Sequence, residues 1–199
     1  MQNIKDDIRQ KLINAGRRLV AERGIEFLTA RKLSESSGCS IGTIYNQFGS
    51  MDELAAEQNK LTLRELEKVL KAAGRGADSY QNLNAMTDAF AAFVGENREL
   101  WLLLYNFHLN RHDYAPDIGY KRQLVKILNC GAKDFAALFP ALRGRRRRIM
   151  REVLTLGLFG ISVMLATDML GGLKTVNREN IGRIFSNAFL AGITLLDKE

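Results

Sequence analysis

Apolar positions in the first segment recur at helical spacing. Ile8, Leu12, Ala15, Leu19 and Val20 come round every three or four residues between Asp7 and Arg23, with charged and polar residues between them. Gly24 supplies a stop. Thr29 can cap a short helix over 30–37, whose apolar contact is Leu33. Gly38-Cys39-Ser40 reads as a tight turn, and Ser40 can cap a second short helix over 41–48. Gly49 ends that helix. Ser50-Met51-Asp52-Glu53 then has the spacing of a capping box, opening a fourth helix that runs to about Ala73.

Gly74-Arg75-Gly76 marks a break and a hinge. Beyond it the pattern predicts helices over 79–95 and 98–110, a loop at 112–116, and one long helix over 118–139 closed by Pro140. Two last helices are expected over 145–170 and 178–197, separated by Gly171-Gly172. No segment alternates with period two over a convincing length, and no internal repeat is visible. The expected fold is all-α. It comprises an N-terminal three-helix domain over 1–52 and a helical bundle over 53–199.

Composition agrees with a helical chain: 199 residues hold only two prolines, with 46% hydrophobic and 26% charged residues. The net charge of +7 is compatible with an anionic partner. Its distribution is more telling, because residues 1–50 carry eight Lys/Arg against five Asp/Glu, a denser excess than in the rest. Two cysteines, Cys39 and Cys130, make no disulfide framework and fit a reducing cytosol. The opening MQNIKDDIRQK lacks the apolar run of a signal peptide. The apolar stretch 153–166 is interrupted by Thr155, Ser162 and two glycines, and is expected to be a buried helix, not a membrane span. These readings make the cytoplasm the expected location.

Two short helices joined through Gly38-Cys39-Ser40 form a helix-turn-helix. In such a unit the first helix braces across a nucleic-acid backbone, and the second projects its N-terminal side chains into a major groove that admits one helix.

The run Leu12-Ile13…Ala15…Leu19-Val20…Gly24-Ile25…Leu28-Thr29-Ala30-Arg31-Lys32-Leu33 resembles the N-terminal domain of the tetracycline-repressor (TetR) family. So does its continuation, Ser37-Gly38-Cys39-Ser40-Ile41-Gly42-Thr43-Ile44-Tyr45-Asn46-Gln47-Phe48-Gly49-Ser50…Leu54. The resemblance implies DNA-binding roles position by position. Thr29 and Arg31 become phosphate contacts at the start of the bracing helix. Ser40, Gly42 and Thr43 lie where the recognition helix approaches DNA, and Tyr45 matches an aromatic that reaches a phosphate. Asn46 and Gln47 present amides to bases or phosphates, while Leu33, Ile44 and Phe48 pack the small domain. Two positions depart from the family pattern. Met51 stands where a lysine is usual, which removes one expected phosphate contact, and Cys39 stands where a valine is common, as a small buried filler.

The resemblance also implies that the helices beyond Gly76 enclose an effector cavity. Phe90, Phe93, Trp101, Leu104, Tyr105, His108 and Met164 are the candidate lining, a mainly aromatic set suited to a hydrophobic or aromatic small molecule. The same residues at helical spacing are also what plain core looks like. The last two helices are expected to form a homodimer seam through Leu158, Ile161, Leu165, Phe185, Phe189 and Ile193. A two-fold dimer would present two recognition helices to a palindromic double-stranded operator. Repression relieved by ligand is the mode the resemblance implies.

Other chemistry is thinner. His108 and His112 are four apart, with Asp113 following, but a solvated helix end explains them better than a metal site, and no metal is expected. Arg143-Gly144-Arg145-Arg146-Arg147-Arg148 opens a helix, where cations oppose the helix dipole, so a role with anions competes with plain solvation. No phosphate-cradling loop, nucleophile elbow or Cys/His arrangement suggests an enzyme, and no cofactor is implied. The competing class is a helical ligand- or redox-sensing protein with a vestigial helix-turn-helix, favoured only by the missing lysine at Met51.

Overall fold

Ten α-helices and one 3-10 turn make up the regular structure of the computed structural model, which describes residues 2–110, 117–169 and 180–196. In chain order they are α1 (Gln2–Arg23), the turn Ile25–Phe27, α2 (Ala30–Ser37), α3 (Ile41–Phe48), α4 (Met51–Ala73) and α5 (Ser79–Glu96). Then follow α6 (Arg98–Asn110), α7 (Ile118–Leu128), α8 (Ala132–Leu138), α9 (Gly144–Ala166) and α10 (Ile181–Leu196). No strand occurs among the described residues, and the fold is all-α. The expected separator Gly171-Gly172 lies outside the described residues.

Where caps and stops are written locally, the helices begin and end as expected. Thr29 Oγ1 accepts from Lys32 N at 3.2 Å, Ser40 Oγ from Thr43 N at 3.1 Å and Ser50 Oγ from Glu53 N at 3.1 Å. Each such cap contributes roughly 1 kcal/mol to its helix. The first helix starts at Gln2, earlier than the apolar period signals, since polar residues extend a helix without burying anything.

The single helix expected over 118–139 is two, and that expectation is corrected. The chain turns at 129–131, where Gly131 adopts φ +72°. A side chain at that position would meet the left-handed backbone penalty, and its Cβ would lie 2.7 Å from Leu83 Cδ2. Helical periodicity carries across such a turn, so it did not reveal the break.

Contacts sort the chain into two compact units, Met1–Leu63 with Asn97–Lys121, and Arg64–Glu96 with Arg122–Glu199. This grouping does not follow a cut at 52/53. In the first unit Val20 of α1, Ala55 and Ala56 of α4, and Leu100, Leu103 and Phe107 of α6 bury one another, which draws α6 to the N-terminal helices. A neighbouring cluster of Leu12, Ile13, Ala15, Leu33, Ile44, Phe48 and Leu54 holds α1 to α4 together. In the second unit the core is Leu83, Phe135, Phe139, Leu142, Leu154, Leu190 and Ile193.

Within the single chain, the residues expected to form a dimer seam are engaged by the second unit itself. Ile193 is 4% exposed and belongs to the second unit's own core, with Phe185 and Phe189 packed against it. Leu158, Ile161 and Leu165 line recesses inside the same unit. The apolar residues left open are Ile149, Val153, Leu156 and Met164 on α9, and Ile184 on α10, with Leu156 63% and Ile184 57% exposed. Apolar residues run nearly all round α9. One side meets the unit's core, and no described residue covers the other. The stretch 153–166 is thus not the buried helix expected. It belongs to a 23-residue helix that is long and apolar enough, by length and composition alone, to cross a membrane, and little of it is buried within the chain.

Candidate nucleic-acid interface and ligand cleft

The turn between α2 and α3 rests on Gly38, whose φ of +68° is the left-handed conformation that glycine takes at least cost. Two local hydrogen bonds fix it: Ser34 Oγ donates to Cys39 O at 2.7 Å, and Cys39 N donates to Ser37 Oγ at 3.2 Å. Cys39 itself is half-buried against the small core.

Helix α3 then divides by period. Ile44 and Phe48 are buried in that core, while Ile41, Gly42, Tyr45 and Asn46 are exposed, Tyr45 to 45%. Ser40 is exposed at the N-terminus, its hydroxyl 2.9 Å from that of Thr43. Thr29, also exposed, caps α2, and Arg31 stands beside it. Gln47 is half-buried. The structure therefore brings Ser40, Gly42, Thr43, Tyr45, Asn46 and Gln47 onto one eight-residue helix and its cap, and puts Thr29 and Arg31 at the start of the helix packed on it.

Glu35 tempers the positive charge of this surface. Its carboxylate lies 3.1 Å from Lys32 Nζ and 3.2 Å from Arg31 Nε. Hydrogen bonds from Lys32 first, then Arg31, hold its pKa below the usual carboxylate value.

Sequence reasoning missed the side chains that brace α3 from behind. Arg9 Nη1 donates to Gln47 O at 2.6 Å, its guanidinium lies 4.3 Å from the centre of the Phe48 ring, and Nη2 pairs with Glu57 at 3.4 Å. Glu57 in turn lies 2.7 Å from the ammonium of Lys60, which also reaches Asp117 at 2.7 Å. Burial acts to lower the Lys60 pKa, but the hydrogen bonds to Asp117 and Glu57 outweigh it and the net direction is up. The same bond from Lys60, joined by one from the Tyr120 backbone, lowers the pKa of Asp117. Arg9 and Gln47 are 38 residues apart, and no local signal links them. Met51, at the position of the family's lysine, packs on the small core.

The candidate ligand residues are shared between the two units. Trp101, Leu104, Tyr105 and His108 lie on α6 in the first unit, and Phe90, Phe93 and Met164 belong to the second. Trp101 and Phe93 are buried, Tyr105 is partly exposed, and Met164 is on the open face of α9. His108 Nε2 shares a 2.7 Å hydrogen bond with the Tyr120 hydroxyl, and burial lowers its pKa. His112 and Asp113 lie outside the described residues.

The second unit does contain a small cleft that opens to solvent. Leu70, Leu83, Met86, Phe90, Phe135, Leu158 and Phe159 supply most of its apolar wall, and Arg151, Cys130, Thr87 and Thr155 its polar side chains. Of the seven candidates only Phe90 lines it, stacked on Phe159 with centroids 5.4 Å apart.

The basic run is partly structural. Arg147 donates to Leu142 O at 2.6 Å and Pro140 O at 3.3 Å, tying α9 to the preceding turn, and Arg148 lies 3.9 Å from Glu152. Arg143, Arg145 and Arg146 remain exposed.

A short capped helix with one buried face, following a glycine turn and braced by two others, is the DNA-reading unit of a helix-turn-helix regulator. Residues 12–57 match the bacterial regulatory proteins of the tetR family. No curated protein matches the chain. Solved structures resemble it along nearly its whole length. A protein of unknown function from Rhodococcus sp. RHA1 has a TM-score of 0.74 at 18% identity, covering 93% of this chain and 94% of its own. FadR from Thermus thermophilus, a TetR-family repressor in complex with lauroyl-CoA, has a TM-score of 0.69 at 16% identity, covering 93% and 94%. RolR in complex with resorcinol has a TM-score of 0.67 at 16% identity, covering 96% and 90%. Residues 12–57 thus carry the helix-turn-helix domain of the tetR family, and the chain as a whole shares the all-α fold of these structures.

Proposed function

We propose that this regulator binds a palindromic DNA operator as a homodimer, represses from it, and leaves it when a small hydrophobic or aromatic effector enters the cleft of the second unit. The observation that carries this reading is the two-sidedness of α3: Ile44 and Phe48 anchor it, while Gly42, Tyr45 and Asn46 face outward with no described residue covering them. The ligands of the two similar structures, lauroyl-CoA and resorcinol, support an apolar effector without choosing between a chain and a ring.

The open apolar face of α9 and α10 supports dimerisation. Ile149, Val153, Leu156 and Met164 recur at helical spacing along one side of α9, and Ile184 adds to them from α10. A second copy presenting the same face would bury both in a four-helix seam. This occupant suits α9 better than a bilayer, because Arg145, Arg146, Arg147, Arg148, Arg151 and Glu152 sit in its first nine residues. A cytoplasmic location goes with this reading.

Helix α4 offers the mechanical link. It begins two residues after the recognition helix and contributes Leu70, near its other end, to the cleft. An effector that binds one position of α4 better than another shifts the population of recognition-helix spacings by that difference in affinity. The test is a selection of DNA fragments by the purified protein, followed by binding titrations over a salt series. Specific, salt-sensitive binding to a site with two-fold symmetry is expected, and equal binding to all fragments would overturn the reading.

A further inference from the structure

One polar group in the wall of the second unit's cleft is left over. Thr87 and Thr155 spend their hydroxyl hydrogens on Leu83 O and Arg151 O, at 2.9 and 3.0 Å, and the Cys130 thiol donates to Lys126 O at 3.4 Å. The remaining side chain with hydrogens to donate is Arg151. Its Nη2 donates to Asn129 Oδ1 at 2.8 Å, but its Nε is buried and has no hydrogen-bond partner among the described residues. Among the described residues no Asp or Glu lines the cleft, and none forms an ion pair with Arg151.

A guanidinium keeps its charge at every physiological pH, and a buried N–H without an acceptor is costly. Its planar fork matches a carboxylate, which can accept from Nε and a terminal nitrogen together. We propose that the cleft binds a monocarboxylate with an apolar body, the carboxylate paired with Arg151 and the body lying along Phe90, Phe159 and the aliphatic wall. This rests on reading the cleft as the effector site, and it narrows the ligand from apolar to apolar and acidic. A second apolar recess, lined by Ala91, Val94, Ile161 and Leu165, shares Phe90, Leu158 and Thr87 with the first. An alkyl chain that passed Phe90 would enter it, whereas a single ring would stay in the first.

The test is calorimetric titration of the wild-type protein with octanoate and octanol, and in parallel with 3-phenylpropanoate and 3-phenylpropanol. Each pair shares one apolar body, so the difference within a pair reads the charge. At least one acid should bind tenfold or more tightly than its alcohol, and the preferred pair tells alkyl from aryl. That acid should also slow alkylation of Cys130, in the cleft wall, without slowing that of Cys39. Arg151→Met should remove the advantage, and Arg151→Lys should keep part of it. Equal binding of acid and alcohol, no binding of either acid, or an R151M variant that binds acid as the wild type does, overturns the proposal. The acid–alcohol comparison needs no variant to fold. DNA binding, measured on the same preparation, separates the two readings. A protein that reads a DNA site but shows no preference for acids refutes the ligand class alone. One that prefers acids but reads no site refutes the regulator and leaves the chemistry of the cleft standing.

Discussion

Arg9, on the first helix, holds the end of the recognition helix: its Nη1 donates to Gln47 O at 2.6 Å while its guanidinium covers the Phe48 ring at 4.3 Å. The bond satisfies one of the carbonyls that every helix leaves open at its C-terminus, and a cation there suits the helix dipole. Arg9→Met keeps much of the stem's packing but loses the bond and the charge. It should lower stability by about 1–2 kcal/mol, read as a shift of the urea midpoint, and should weaken DNA binding although Arg9 is not on the exposed face of α3. An unchanged midpoint would show that the brace contributes nothing.

On the outer face, Tyr45→Ala and Thr43→Ala should each weaken operator binding by about 1–3 kcal/mol with helical content unchanged. Fluorescence anisotropy at fixed salt measures it. Thr43 lies at hydrogen-bond distance from Ser40, so its loss also loosens the side chain that caps α3. A folded variant that binds as tightly as the parent would move the docking face elsewhere.

The apolar seam is best probed at Leu156, which is open in the single chain and so can be charged without breaking its core. Leu156→Glu should sediment as a folded monomer, since two unpaired carboxylates in an apolar interface cost several kcal/mol. Phe189→Glu makes the contrast. Phe189 packs on the second unit's own core, so that variant should lose helical structure along with dimerisation. An L156E protein that stays dimeric would put the interface on another face.

His108 predicts the pH response of the first unit. Burial lowers its pKa from an ordinary value of 6.5, so the unfolded chain takes up a proton before the folded one does. Stability is then full above about pH 6.5 and falls as pH drops through the folded pKa. His108→Gln should flatten urea midpoints between pH 7.5 and 5, and a slope equal to the parent's would assign the response to another group.

How much could be read in advance differs along the chain. Around the turn, Thr29, Gly38, Ser40 and Ser50 announce themselves because their work is local: a hydroxyl reaching an amide three residues on, or a backbone only glycine adopts cheaply. The exposed side of α3 followed from the same stretch, since Ile44 and Phe48 fix which face is buried. The brace from Arg9 did not, because it joins residues that only packing brings together.

By itself, then, the sequence determined most of the helices, the caps around the turn, the helix-turn-helix and the resemblance of that region to the tetR family, all of them set by interactions within a few residues. Tertiary structure decided which of two apolar faces on α9 and α10 is core and which is free, since periodicity marks a face as apolar without naming its neighbour. It broke the helix expected over 118–139 at Gly131, where a left-handed backbone favours glycine and Leu83 from α5 packs close. It also divided the aromatic residues between two units, and left Phe90 in a cleft with Arg151, Cys130 and Phe159. Those four come from three different segments, 90, 130 and 151–159, and no spacing along the chain encodes a meeting that depends on how the helices pack.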